Sequence, residues 1–195
     1  MASADISLGD LTPMNILLKE CEGRIVAKLT DFGLSKTNIS RHSGTKAGTP
    51  AYKCPEYGSD EVCDAVDMFS FGGVLVYLFG EEHAHPFEGK DDDEIHRMMV
   101  ACHQHNVALN IPELETIREQ KIREIAAECL NADAGLRPSA GDLLDRFSEL
   151  CELSKEIQKD NAAEDAVFTI GMRSFNVVQE EMKSLQEKEK KIMQE

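Results

Sequence analysis

The spacing of hydrophobic residues changes several times along the chain, and each change marks an element. Two short apolar-rich runs, Asn15 to Lys19 and Arg24 to Leu29, surround Cys21-Glu22-Gly23 and predict a β-hairpin. From Leu34 to Tyr57 no period is sustained, and Ser, Thr, Gly and Pro are frequent. This is a long loop, of the kind compact domains keep for function. Ala65 to Phe79 is apolar nearly all round, which predicts a helix buried on every side. Asp67 falls in the first turn of that helix, where a carboxylate is costly unless it accepts hydrogen bonds, so a structural task is expected of it.

Further along, Asp91 to Gln104 opens with three aspartates suited to a helix N-terminus and places Ile95, Met98, Met99 and Cys102 on one face. Glu113 to Leu130 reads as one amphipathic segment carrying Leu114, Ile117, Ile125 and Cys129. Ser139, with Asp142 three residues on, predicts a helix start, and Leu143, Phe147, Leu150 and Cys151 form its inner stripe. Beyond Leu153 the composition turns to Glu, Lys and Gln. There Phe175, Val178, Met182, Leu185 and Ile192 make a short heptad stripe interrupted by Glu189. The expected fold class is mainly α with a small β-hairpin.

Composition narrows the picture. Of 195 residues, 42% are hydrophobic, enough to bury a core in one domain with an appendage. A formal net charge of -15 repels phosphate backbones, which argues against nucleic acid and anionic membranes as partners. The N-terminus shows no basic-then-apolar signal pattern, and the longest apolar run, Val74 to Phe79, is too short to span a bilayer. An intracellular, cytoplasmic protein is expected. Six cysteines (Cys21, Cys54, Cys63, Cys102, Cys129, Cys151) are scattered singly and read as reduced, small apolar residues. The pairs His83/His85 and His103/His105 lack further ligands at a metal-binding spacing, and loop histidines are the better reading.

The chemistry concentrates near the start. Asp10 and Asn15 stand five residues apart just before the first strand, and Asp31-Phe32-Gly33 follows the hairpin. These groups therefore flank one β-ribbon and can converge at its base. A carboxylate and a carboxamide there can hold Mg²⁺ through oxygen, while a second carboxylate orients a hydroxyl nucleophile.

Gly9-Asp10-Leu11-Thr12-Pro13-Met14-Asn15 resembles the catalytic loop of eukaryotic-type protein kinases (HRDLxxxN), and Asp31-Phe32-Gly33 resembles their DFG. Gly48 to Glu56 (GTPAYKCPE) is similar to the stretch that closes the activation segment. Asp67 to Gly72 resembles the DxWSxG helix start, and His85-Pro86-Phe87 and Leu136-Arg137-Pro138-Ser139 match downstream landmarks. Six motifs in the family's order over residues 8 to 153 are highly specific.

The resemblance implies the C-terminal, helical lobe of the kinase fold with the N-lobe missing. It implies residues 1–7 as an N-terminal remnant, 8–153 as the lobe, and 154–195 as a charged helical tail with coiled-coil character. By resemblance, Asp10 accepts the proton of the substrate hydroxyl, Asn15 and Asp31 coordinate Mg²⁺, and Ile16, Leu17 and Leu18 form a floor under the adenine of ATP. Thr49 supports the catalytic loop and favours Ser/Thr over Tyr substrates. Glu56 and Arg137 form a buried ion pair, and Asp67 holds the catalytic-loop backbone. The implied partners are a protein substrate or partner protein. Self-association is open through the exposed lobe surface or the C-terminal helix.

The departures are equally specific. Leu8 and Gly9 stand where the family has His and Arg, so phosphorylation at Ser40, Ser43 or Thr45 has no guanidinium to engage at position 9. Leu8 can still pack against Phe32. Thr12 replaces the lysine that reaches the transferred phosphate. Only seven residues precede Leu8, so the glycine-rich loop, the VAIK-type lysine and its partner glutamate are expected to be missing from this chain. It is expected to be inactive alone, with the helix Ala65–Phe79 exposing an apolar patch for want of a packing partner. A non-catalytic, pseudokinase-like interaction module is the alternative. An aminoglycoside-kinase type of phosphotransferase also carries Gly-Asp, but the segment through Pro55-Glu56 argues against it.

Overall fold

The computed structural model describes residues 6–21, 24–31, 36–37, 49–57, 65–105 and 107–160. The chain divides into two compact units, one made of residues 1–15 and 31–140, the other of 16–30 and 141–195. Within the described residues the structure is mostly helical with two small antiparallel sheets. Phe32, Gly33, the three candidate phosphorylation sites and the heptad stripe from Phe175 to Ile192 lie outside the described residues.

In the first unit, strand β1 (Ile6–Ser7) pairs with β4 (Lys36–Thr37), Ile6 opposite Thr37. In the second, β2 (Ile16–Cys21) and β3 (Arg24–Leu29) form the expected hairpin, with Ile16 opposite Leu29 and Cys21 opposite Arg24. Leu17 and Leu18 stand exposed on it, at 56% and 60%, while Ala27 is buried.

Helix α1 (Ala65–Phe79) is the centre of the first unit, and Val66 to Val76 are buried without interruption. This corrects the expectation of an apolar patch on that helix. Its middle is buried, and Leu78 near its end is its one large exposed hydrophobic. Two adjacent glycines make the coverage tight. A Cβ at Gly72 would stand 2.8 Å from the Cβ of Cys129, and one at Gly73 would stand 2.8 Å from the ring of Tyr52 and 3.2 Å from Pro86. The helix is thus packed on α3 (Gln120–Cys129) on one side and on the turn Pro50–Tyr52 on the other.

Helix α2 (Asp92–His105) starts where Asp91 accepts a hydrogen bond from the Glu94 N–H at 2.7 Å, and it buries Ile95, Met99 and Cys102. The amphipathic run from Glu113 is not one helix. Pro112–Thr116 forms a 3₁₀ turn, Ile117 to Glu119 is non-helical, and α3 follows. Ile117 is fully buried at the break, and the Thr116 hydroxyl donates to the Glu113 carbonyl at 2.7 Å, which closes the short turn. The Glu113 carboxylate in turn accepts from the N–H groups of Phe87 (3.3 Å) and Glu88 (3.0 Å). A periodic stripe survives such a break because Ile117 keeps its inward direction.

In the second unit α4 (Ala140–Asp160) begins directly after Ser139 and buries Leu143, Phe147 and Cys151. Of the five cysteines described as free thiols, Cys54, Cys102, Cys129 and Cys151 are buried, as small apolar residues are. Among the described residues no helix is long and apolar enough to cross a membrane.

The contact at Gly72 supplies a test. Gly72→Val would drive a branched side chain into Cys129 and Leu130, neither of which is a flexible tip. Overpacking of this kind costs about 1–3 kcal/mol. A urea denaturation midpoint unchanged from the parent chain would show that α1 and α3 do not approach this closely.

Candidate functional site

The segment from Leu8 to Asn15 is held from below. Asp67, buried in the first turn of α1, accepts from the Leu8 N–H at 2.8 Å through one oxygen and from the Gly9 N–H at 3.1 Å through the other. Gly9 has φ of +73°, a left-handed conformation that glycine takes without a Cβ clash. Leu11 and Thr12 are buried, and Pro13–Asn15 closes a single 3₁₀ turn in which the Asn15 N–H donates to the Thr12 carbonyl at 3.0 Å.

That turn brings Asn15 back onto Asp10. The Asn15 Nδ2 donates to the Asp10 carbonyl at 2.9 Å and to its Oδ2 at 3.2 Å. Both donors of the carboxamide are thereby engaged, and its Oδ1 has no hydrogen bond among the described residues, so a hard oxygen ligand is left available. The other Asp10 oxygen, Oδ1, accepts from the backbone N–H of Thr49 at 3.3 Å. Asp10 therefore joins the loop at 8–15 to the segment at 49–57.

The strand pairings place the backbone of Asp31. The ribbon pairs Ile16 with Leu29, so the chain leaves it at the level where Asn15 entered it. The pairing of Ser7 with Lys36 then returns the chain beyond Asp31 to the strand that leads into Leu8. Asp31 is exposed and has φ of +60°, an uncommon conformation outside glycine in which Asp and Asn are enriched. Ile16 is half-buried beside the two exposed leucines of β2.

Glu56 and Arg137 lie 81 positions apart in sequence and meet as a buried, two-pronged pair. Arg137 Nη1 donates to Glu56 Oε1 and, at 2.8 Å, to the Ala65 carbonyl. Its Nη2 donates to Glu56 Oε2 at 2.8 Å and to the Ala132 carbonyl at 3.3 Å, and Nε donates to the Asn131 carbonyl at 2.8 Å. All five guanidinium N–H groups are used, and the Phe69 ring lies 5.0 Å away. Burial, reinforced by Glu56, pushes the neighbouring Cys54 thiol well above its usual range, so it stays protonated and inert.

Three residues given no role from sequence also shape this region. The Tyr52 carbonyl accepts from the Ser70 hydroxyl at 2.8 Å, and the Tyr52 hydroxyl meets His85 Nδ1 at 2.7 Å. Burial, with Tyr77 and Glu88 adding to it, pushes that phenol far above the usual tyrosine range. Lys53 sits with its Nζ 4.7 Å from the centre of the Tyr57 ring. Burial lowers the pKa of its ammonium, opposed by the carboxylates of Asp10 and Asp92. The signal for Tyr52 was present in its place before Pro55-Glu56, and that for Ser70 in its place within the Asp67 to Gly72 motif, but neither showed that the two would meet.

A family model described as "Protein kinase domain" matches residues 2–147. "Protein kinase C-like 1" of Caenorhabditis elegans is 44% identical over 92 residues, covering 44% of this chain and 12% of the relative. "Serine/threonine-protein kinase chk-2" of the same organism is 39% identical over 80 residues, covering 40% of this chain and 17% of the relative. "Serine/threonine-protein kinase/endoribonuclease IRE1a" of Arabidopsis thaliana is 29% identical over 182 residues, covering 85% of this chain and 20% of the relative. The chain thus spans between about an eighth and a fifth of the length of these three relatives.

Arg137 provides the test of how this region is held. Arg137→Ala leaves a buried carboxylate and three carbonyls without their donors, and loss of about 3–5 kcal/mol is expected in chemical denaturation. Arg137→Lys is expected to recover only a small part, because an ammonium cannot reproduce the planar fork. Recovery to parental stability with lysine would refute the five-bond arrangement.

Proposed function

The chain belongs to the protein kinase domain family, and from that premise we propose that it carries the phosphoryl-transfer half of a serine/threonine protein kinase, the helical lobe with its catalytic loop. The observation that supports this reading best is the join of Asp10 to both Asn15 and the Thr49 backbone. A carboxylate held this way keeps one edge toward a carboxamide and the other toward the segment that follows the long loop. In the proposed reading Asp10 orients a Ser or Thr hydroxyl and accepts its proton. Asn15 Oδ1 and the Asp31 carboxylate are hard oxygen donors that fit Mg²⁺, which when bound offsets the negative charge of ATP phosphates. Ile16, Leu17 and Leu18 offer an apolar surface for the adenine, Leu17 and Leu18 being exposed. Thr49, Glu56, Asp67 and Arg137 position these groups and touch no reacting atom.

Phosphoryl transfer depends on several charges acting together, and the loop from Leu8 to Asn15 contributes no cation. Thr12, where the family carries lysine, is buried at 2% exposure and is occupied in its own turn. We therefore propose that the described lobe does not turn over ATP by itself and contributes its residues in a complete kinase. The buried Thr12 also favours a second reading, a non-catalytic kinase-like module that binds a partner protein through the same surface.

Incubation with Mg-ATP and a generic protein substrate is expected to give no phosphate transfer above an Asp31→Ala control. In a longer polypeptide that supplies an ATP-binding lobe, Asp10→Asn is expected to lower turnover by about 10²–10⁴-fold, the usual share of a positioned base. Turnover in that polypeptide that ignores Asp10→Asn would favour the module.

A further inference from the structure

Lys53 is held in an unusual position for a lysine. Its backbone is fixed on both sides: its N–H donates to the Pro50 carbonyl at 3.1 Å, and the preceding Tyr52 is buried and anchored by Ser70 and His85. Its side chain is only half-exposed, with Nζ over the Tyr57 ring at 4.7 Å. Cation–π contact at such a site offers about 0.5–1 kcal/mol. Lysines ordinarily carry their ammonium out to water, or pair it where they cannot. Among the described residues this one makes no ion pair and no side-chain hydrogen bond, so its three N–H donors remain uncommitted.

The placement of Asp10 says what could use those donors. Asp10 turns Oδ2 toward the carboxamide of Asn15 and Oδ1 toward the Thr49 N–H, four residues before Lys53. Asp10 and Asp92 are the two carboxylates whose charge acts on the lysine. Lys53 therefore stands on the segment whose Thr49 N–H holds Oδ1, while the candidate metal ligand Asn15 holds Oδ2 from the other loop. An anion reaching it is carried on the molecule that bears the acceptor hydroxyl, and the nucleotide belongs with the carboxamide.

We propose that Lys53 is a specificity-determining residue, whose ammonium receives a carboxylate next to the acceptor Ser or Thr and so selects acidic peptide segments. The assignment rests on the phosphoryl-transfer reading of Asp10. It runs against the overall charge of -15, which repels acidic peptides at long range. The selectivity therefore arises at contact distance, through a partly desolvated cation whose field is little screened.

Fluorescence anisotropy with three labelled serine decapeptides tests it on the full chain, the serine being flanked by glutamates, alanines or lysines. The glutamate peptide is expected to bind about tenfold more tightly than the alanine peptide. Lys53→Ala is expected to erase that difference, and Lys53→Glu to put the lysine peptide first, with circular dichroism unchanged in both. Equal affinities in the parent chain, no detectable binding of the glutamate peptide, or a ranking unaltered by Lys53→Glu overturns the assignment. Turnover in a longer polypeptide that supplies an ATP-binding lobe, with Asp10→Asn as control, separates the two levels. Turnover lost with Asp10→Asn beside a flat peptide ranking defeats Lys53 alone. Turnover that ignores Asp10→Asn defeats the phosphoryl-transfer reading and, with it, the assignment of Lys53 to a site beside the acceptor hydroxyl, whatever the peptide ranking.

Discussion

A charge taken out of water obliges its surroundings to complete it, and the first turn of α1 is where that obligation organises the larger unit. Asp67 is completed by two backbone N–H groups from Leu8 and Gly9, 59 and 58 positions away. Two residues earlier, the Ala65 carbonyl is completed by Arg137 from 72 positions downstream. One helical turn thereby gathers both the loop that carries Asp10 and the guanidinium that holds Glu56. Because α1 is apolar elsewhere and buried along its middle, these polar obligations cannot be met by solvent. They act as register marks for segments distant in sequence.

The candidate site inherits its geometry from those marks. Asp67 fixes the backbone at Leu8 and Gly9, the next residue is Asp10, and a single 3₁₀ turn brings Asn15 onto it. From the other direction, Arg137 holds Glu56 and Ser70 holds Tyr52, which fixes the segment whose Thr49 N–H reaches Asp10. Asp10 thus stands between two independently anchored segments and needs no anchoring of its own beyond two modest hydrogen bonds. Such a division suits the proposed chemistry: the rigid groups carry the energetic cost, and the carboxylate proposed as the base keeps lone pairs for a ligand.

Departures at positions 9 and 12 have different physical characters. Gly9 exploits its lack of a side chain, taking a positive φ that lets two successive N–H groups face one carboxylate. Thr12 is buried, and its carbonyl serves the turn that carries Asn15. The loop is held in this way with no cation at either position. A half-buried cation, Lys53, stands on the segment whose Thr49 N–H reaches Asp10.

Much of this was legible in the residue order. The limits of Ala65–Phe79 followed from apolarity on every face, since no other element of that length buries all its sides. The hairpin followed from two apolar runs around Glu22-Gly23, and the kinship of the chain from six motifs in one order. The residue order also showed that Asp67 must have partners. Only the tertiary structure chose Leu8 and Gly9 for that task, divided Glu113–Leu130 around the buried Ile117, and covered the middle of α1. The reason is common to all three. Periodicity reports which way a side chain faces and composition reports what its burial costs, but which distant segment meets that cost is settled by packing across tens of residues.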